Sequence, residues 1–305
     1  MPESLLQSAG ITIAFRSEEF APDEFINVGS RWIPSLRRLY ERPDSADISI
    51  DCDLGQNRLE YFENGFVIRG SYDKYHVLLD AAALLSRFLE RELNRRKRYS
   101  FHGSCVVDQD KAFLLLGPEG VGKTTAAAAC CLRKPTIRIL SSDRTVVEDN
   151  LAIAGTTTLT FRKGSLVHEL PQLVGGTISG DDLWDNKVSV DFSSALCSTA
   201  CRLAGFFFIR TSGMWSPMRL LTGPEKLVKL YDQLTYFAQA FPSISVGQRQ
   251  PVPIFFSYET EGARIEYATE LVRSIPAYVV SGSLDQVVTA LLENINGATS
   301  EAALR

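Results

Sequence analysis

Residues 117–124 read Gly-Pro-Glu-Gly-Val-Gly-Lys-Thr, which satisfies the phosphate-binding pattern G-x-x-x-x-G-K-[ST] at every specified position. The flanks have the context that the pattern requires. Before it, Lys111-Ala-Phe-Leu-Leu-Leu116 is an apolar run suited to a buried strand. After it, Thr124-Thr-Ala-Ala-Ala-Ala-Cys-Cys-Leu132 is rich in alanine, the best helix former. A strand, a glycine-rich turn and a helix aim free backbone N–H groups at an anion. Gly117, Gly120 and Gly122 permit backbone dihedrals and close approaches that a Cβ would obstruct. Lys123 is placed to neutralise the β- and γ-phosphates, and the Thr124 hydroxyl to ligate Mg²⁺. The predicted nucleotide contacts are Gly117, Pro118, Glu119, Gly120, Val121, Gly122, Lys123, Thr124 and Thr125.

The surrounding sequence narrows the chemistry. Upstream, Tyr99-Ser-Phe-His-Gly-Ser-Cys-Val-Val107 and the turn Asp108-Gln-Asp110 predict a hairpin leading into the P-loop strand. Downstream, Ile137-Arg-Ile-Leu-Ser-Ser-Asp-Arg-Thr-Val-Val147 predicts a strand ending near Ser142 and Asp143, a short turn and a return strand. The order "His-Gly, apolar strand, P-loop, Ala-rich helix, Leu-Ser-x-Asp, apolar strand" resembles the catalytic domain of the HPr kinase/phosphorylase family. That family shares its P-loop architecture with phosphoenolpyruvate carboxykinases. The resemblance covers about residues 100–225, including Phe206-Phe-Phe-Ile-Arg210 and the polar turn, strand and helix after it. The N-terminal region looks like that of divergent HPr-kinase-related kinases.

The resemblance implies roles for matching positions. Gly117 to Thr124 hold the phosphates and metal; His102 faces the transferred phosphoryl group; Asp143 is the metal-associated or general-base carboxylate. The family usually has Asp-Asp where this chain has Ser142-Asp143, so the second carboxylate is missing here. The family's phosphorylase activity uses an Arg-rich loop that does not align with this chain, and that activity is not carried over.

Physical chemistry supports the same residues. Phosphoryl transfer needs charge neutralisation, a metal and an aligned acceptor more than covalent help. A carboxylate at the neighbouring strand end can orient or deprotonate an acceptor hydroxyl, although Asp is also a common turn residue. His102 can equally be a core histidine bonded to backbone. Arg162 is a candidate for stabilising transition-state charge, with Lys187 as an alternative. Asp181, Asp182 and Asp185, in a Gly-rich polar loop over 175–182 and beyond, are candidates for the second carboxylate, against the ordinary reading of solvated loop charge. His168 has no assigned role.

The chain has 305 residues, 45% hydrophobic and 22% charged, ordinary globular values that allow a sizeable core. A net charge of -4 favours neither nucleic acid nor an anionic membrane. No apolar run reaches the ~20 residues of a membrane span, and the start lacks a signal-peptide pattern, so the expected location is cytoplasmic. The six cysteines form no C-x-x-C pattern. Cys197 and Cys201 can share a helix face, which leaves a metal or redox role open beside the simpler reading of small buried thiols.

The expected fold class is α/β: a P-loop kinase domain with a mixed sheet of the HPr kinase/phosphoenolpyruvate carboxykinase type, preceded by a small β-rich module and a helix. The expected divisions are 1–98, with the helix at 76–97 and a hairpin turn at Glu63-Asn-Gly65; 99–245, the P-loop domain; and 246–305, where 250–282 reads as sheet-forming, 284–295 as a helix and the end beyond Asn296 as frayed. The cluster Arg95-Arg-Lys-Arg98 reads as a solvated helix end or as a docking patch for an acidic partner. The expected activity is ATP- and Mg²⁺-dependent transfer of the γ-phosphoryl group to a hydroxyl of a small metabolite, amino acid or peptide. The alternatives are a protein or peptide serine kinase and a nucleotide sensor that hydrolyses ATP slowly or not at all. Related kinases often assemble, which makes a homo-oligomer an analogy-based expectation.

Overall fold

The computed structural model describes residues 3–41, 45–162, 178–182, 187–190, 195–239, 243–244, 246, 250–252, 255 and 257–302. Its N-terminal part is a sheet with helices on one side. β1 (Glu3–Ser8) and β2 (Ile11–Arg16) form a hairpin, followed by α1 (Pro22–Gly29), β3 (Arg37–Arg38), β4 (Ile48–Leu54), β5 (Arg58–Phe62) and β6 (Gly65–Gly70). The strand order is β3-β1-β2-β4-β6-β5, with β2, β4 and β6 parallel. The expected turn at Glu63-Asn64 joins β5 to β6 in antiparallel register, Phe62 opposite Gly65. The helix α1 was not anticipated, although Pro22 in its first turn and the acidic pair Asp23 and Glu24 are ordinary start signals.

The predicted helix near 76–97 is α2 (Lys74–Arg95), capped by Asp73, whose carboxylate accepts from His76 N at 3.1 Å. Its stripe of Val77, Ala81, Leu84, Leu85 and Phe88 is buried against Ile13, Phe15, Ile50, Phe66 and Ile68 of the sheet. Each such Leu or Phe contributes roughly 1.5–3 kcal/mol of burial. The basic cluster at the end of α2 is largely internal wiring. Arg95 pairs with Glu92 at 3.0 Å, Arg96 with Asp47 at 2.5 Å, and Arg98 with Glu148 at 3.0 Å. These pairs, together with Arg96 donating to Gly10 O and Arg98 to Ala9 O, tie the first hairpin to the second half of the chain.

The second half is a three-layer α/β/α arrangement. In chain order its elements are β7 (Arg98–Asp108), β8 (Lys111–Leu116), α3 (Lys123–Arg133), β9 (Ile137–Ser141), β10 (Arg144–Glu148), β11 (Leu151–Gly155), β12 (Leu159–Arg162), β13 (Ile178–Asp182), β14 (Lys187–Val190), β15 (Cys201–Arg210), β16 (Ser216–Leu220), α4 (Gly223–Gln239), β17 (Ser243–Ile244), β18 (Gln250–Pro251), α5 (Tyr258–Ser274), β19 (Ala277–Ser281) and α6 (Leu284–Ala302). The main sheet runs β11-β10-β7-β8-β15-β19-β16, with β9 also against β7. Neighbours β8, β15 and β19 are parallel and the rest antiparallel, so the sheet is mixed as expected. Strand alternation sorts the side chains. Phe113 and Leu115 face the layer containing α3 and α6, while Leu114 and Leu116 face the layer containing α4 and α5. No described helix is long and apolar enough to cross a membrane.

Four local expectations are corrected. The stretch at 137–148 is not a strand and its return. β9 and β10 both pair with β7 in antiparallel register, Cys105 opposite Ser141 and His102 opposite Arg144, so the chain runs on in one direction with a two-residue break at Ser142-Asp143. The segment 178–182 is a strand paired with β14, not a loop. Ile265-Glu-Tyr267 lies in α5, not in a strand: Ser257 caps the helix by accepting from Thr260 N at 3.1 Å, and Tyr267, Ala268 and Leu271 bury at helical spacing. Residues 253–254 and 256 of that region lie outside the described ones. Finally, α6 continues past Asn296 to Ala302. Asn296 accepts from Lys134 Nζ at 2.6 Å and the Ala298 carbonyl accepts from Lys111 Nζ at 2.5 Å, which ties the helix end to the sheet.

Candidate functional site

The centre of β7 is the hub of the candidate site. On one side Gly103 stands opposite Leu116, so the start of the glycine-rich loop at Gly117 emerges beside His102. On the other side the break between β9 and β10 faces Gly103, whose N–H donates to Asp143 O at 2.7 Å. Three segments distant in sequence thus meet around His102.

The glycine-rich loop over 117–122 closes onto the N-terminus of α3. Gly122 is the residue before the helix and has φ 95, a left-handed conformation that favours glycine. A Cβ there would lie 2.0 Å from Thr211 Oγ1, which is why glycine is needed for space as well. Thr211, at the end of β15, holds the loop by donating both its N–H and its hydroxyl to Val121 O, each at 3.0 Å. The side chain of Lys123 is buried under the loop, where its ammonium donates to Gly117 O at 2.9 Å and Pro118 O at 3.0 Å. Burial lowers the Lys123 pKa, and the negative charges of Asp143 and Glu119 oppose that shift.

His102 is buried and stacks on Tyr236 of α4, with ring centroids 3.7 Å apart and planes 12° apart. Its Nε2 lies 3.2 Å from Lys123 Nζ and 3.3 Å from Asp143 Oδ1. Its Nδ1 is buried without a hydrogen-bond partner among the described residues. The Tyr236 hydroxyl is pushed up to about 12 by burial and by the nearby charges of Asp143 and Glu119.

Ser142 and Thr156 shape the break. Ser142 Oγ donates to Thr158 O at 2.8 Å, so the 3.0 Å contact with Thr156 Oγ1 carries the threonine's proton. Thr156 Oγ1 in turn accepts from the N–H groups of Asp143 and Arg144, both at 3.0 Å, and all its capacity is used. The Ser142 carbonyl accepts from Ser104 Oγ and from Thr124 Oγ1, the latter at 3.2 Å. The Thr124 hydroxyl spends its proton there and keeps its oxygen lone pairs. The Asp143 carboxylate is 40% exposed.

The donor set fits a triphosphate with a divalent cation. A left-handed glycine precedes the helix, a buried ammonium turns onto loop carbonyls, and the Thr124 hydroxyl bonds the carbonyl of Ser142, the residue before Asp143. Magnesium keeps most of its waters and takes few protein oxygens, so Thr124 and Asp143 suffice in kind. Among the described residues no cluster of three or more His, Cys, Asp or Glu forms a metal site of its own.

Of the remaining sequence candidates, Arg162 ends β12 opposite Lys187 of β14, and Asp182 of β13 also stands opposite Lys187. The side chains of Arg162, Asp181, Asp182 and Lys187, and all of His168 and Asp185, lie outside the described residues. Pro118 and Glu119 are exposed on the loop, and Thr125 is half-buried in the first turn of α3. Cys197 and Cys201 are not on a helix: Cys201 begins β15, and the two sulfurs are 3.8 Å apart. Burial pushes the thiols of Cys130 and Cys131 up to about 12, which suits packing and not redox work. Sequence reasoning missed Tyr236, Thr156, Ser104 and Thr211, because each reaches the site by long-range packing. No protein-family model matches the chain, and no curated protein matches it.

Proposed function

We propose that this chain is an ATP- and Mg²⁺-dependent phosphotransferase of the HPr-kinase-like P-loop type, acting on a hydroxyl of a small metabolite, amino acid or peptide. The observation that carries the reading is the convergence of Lys123, His102 and Asp143, within 3.3 Å steps of one another, beside an intact phosphate cradle. Bound Mg·ATP would supply the transferable phosphoryl group. Lys123 and the first amides of α3 would neutralise the phosphate charge. Thr124 and Asp143 would hold the cation. Asp143, at the partly exposed side, would accept the proton of the attacking hydroxyl, while His102 Nε2 faces both the ammonium and the carboxylate and would donate to the carboxylate once phosphate has drawn the ammonium away. The reading of a slow nucleotide sensor has one observation in its favour, the serine at 142 where a second carboxylate would stand. The bonds made by Ser142 weigh against simple loss of a site, because its hydroxyl is built into the break.

The test is calorimetric titration with Mg·ATP, followed by transfer of radiolabelled phosphate to a panel of amino acids, sugars, nucleosides and peptides. Lys123→Ala should weaken Mg·ATP binding by about a hundredfold or more, the cost of a lost charge-assisted contact to a largely desolvated phosphate. Unchanged affinity would remove the reading. ATP binding without transfer to any acceptor would favour the sensor.

A further inference from the structure

The sheet divides the labour of the proposed site by strand. β7 and the break between β9 and β10 carry His102 and Asp143 on one side of the P-loop strand. On the other side of β8 lie β15 and then β19, both parallel to it, so their carboxyl ends open at the same end of the sheet as the P-loop. In open α/β sheets ligands bind at those ends. A nucleotide whose phosphates sit over β8 and α3, and whose acceptor lies toward β7, has its base directed toward β15 and β19.

That end of the sheet presents an indole. The turn after β15 runs from Thr211, which grips Val121 of the P-loop, to Trp215. Trp215 is 47% exposed and Met214 beside it 91%. The turn is pinned: Gly282 N donates to Arg210 O at 3.0 Å, Ser281 Oγ donates to Met214 O at 3.2 Å, and Ser216 stands opposite Ser281. The indole lies against Gly282, where a Cβ would come within 2.7 Å of Trp215 Cε3. The indole thus sits over the end of β19, two strand spacings or about 10 Å along the sheet edge from the P-loop strand. It stands four positions after Thr211, a reach of at most about 14 Å.

The geometry points to Trp215 as the stacking platform for the purine base of the donor nucleotide, seated by Gly282 and anchored to the P-loop through Thr211. The inference rests on the P-loop reading above. An exposed ring on a pinned turn offers a base its π-face at small entropic cost, and stacking of this kind is worth about tenfold or more in affinity per base.

Calorimetry with two probes separates this proposal from the reading beneath it. Mg·ATP carries the base; Mg·tripolyphosphate carries the phosphates alone. Trp215→Ala should weaken Mg·ATP by about tenfold and leave Mg·tripolyphosphate within about twofold, while Trp215→Phe, which keeps a π-face, should retain most of the ATP affinity. Gly282→Ala, which displaces the indole without removing it, should show the same selective loss. Thermal unfolding of each variant checks that the fold is kept. If Trp215→Ala binds Mg·ATP as the native chain does, or loses both probes in parallel, the platform is overturned and the P-loop reading stands. If the native chain binds neither probe, both fall.

Discussion

The Nε2 of His102 stands 3.2 Å from the ammonium nitrogen of Lys123. An ammonium has only protons to give, so the neutral imidazole must accept at Nε2 and carry its own proton on Nδ1. That proton points into a buried spot without a partner among the described residues, which costs about 1–3 kcal/mol. Stacking on Tyr236 offsets part of it, about 0.5–1.5 kcal/mol. The other tautomer would donate from Nε2 to Asp143 Oδ1 at 3.3 Å but face Lys123 with a proton.

The arrangement makes the ring's tautomer a reporter of Lys123. In the nucleotide-free protein, nitrogen NMR of the imidazole should show the proton on Nδ1. Added Mg·ATP, by drawing the ammonium toward phosphate, should move it to Nε2, where it can donate to Asp143. A proton already on Nε2 without nucleotide would contradict the Lys123–His102 pairing.

Asp143→Asn should separate binding from chemistry. The amide keeps the shape and the backbone bonds, in which Asp143 N donates to Thr156 Oγ1 and Asp143 O accepts from Gly103. It cannot take a proton and ligates magnesium poorly. Nucleotide should still bind while turnover falls by ~10²-fold or more, the size of a general-base contribution. Turnover near the native rate would place the base elsewhere, with Asp181, Asp182 and Asp185 tested next.

What could be read in advance divides along local and non-local lines. The strand, glycine-rich loop and helix around residues 111–133, the hairpin of β7 and β8, and α2 were legible because their signals are contiguous: a fixed glycine spacing, a turn between two apolar runs, a helical stripe. The break at Ser142-Asp143 was misread as a turn because pairing with β7 is decided by partners some forty residues away. Ile265 and Tyr267 carry β propensity, yet a capping serine and the face buried under α4 prevailed. Tyr236 gives no local sign of its role; only the packing of α4 on β7 lays it on His102.

Arg144, next to Asp143, is fully buried and binds Glu90 Oε2 at 2.7 Å, Ser86 Oγ at 2.8 Å and Ser100 Oγ at 3.0 Å, with its guanidinium 4.5 Å from the Phe237 ring centroid. It thus joins α2 to the site strand. Arg144→Met should lower stability by about 3–5 kcal/mol, because Glu90 loses its main partner in a dry setting. Arg264, 3.6 Å from Glu90, keeps the loss toward the lower figure. Denaturant unfolding should show Glu90→Gln/Arg144→Met losing less than the sum of the single changes. Strict additivity would mean that the pair contributes no coupling.

Ser142→Asp tests whether the serine is an eroded carboxylate or a built part. Ser142 is 2% exposed, and its hydroxyl donates to the Thr158 carbonyl. A carboxylate in its place meets that carbonyl with like partial charge, loses the donated bond, and lies beside Asp143. Burial and the neighbouring carboxylate both raise the new group's pKa above its unfolded value. An acid shifted in that direction destabilises most above the folded pKa and regains stability as the pH falls below it. The variant should therefore unfold several degrees earlier at pH 8, by a margin that narrows at pH 5, and should transfer phosphate less well than the native chain. Faster transfer to an acceptor, with stability kept at pH 8, would show that the break accommodates a second carboxylate around magnesium and that the native serine is a loss.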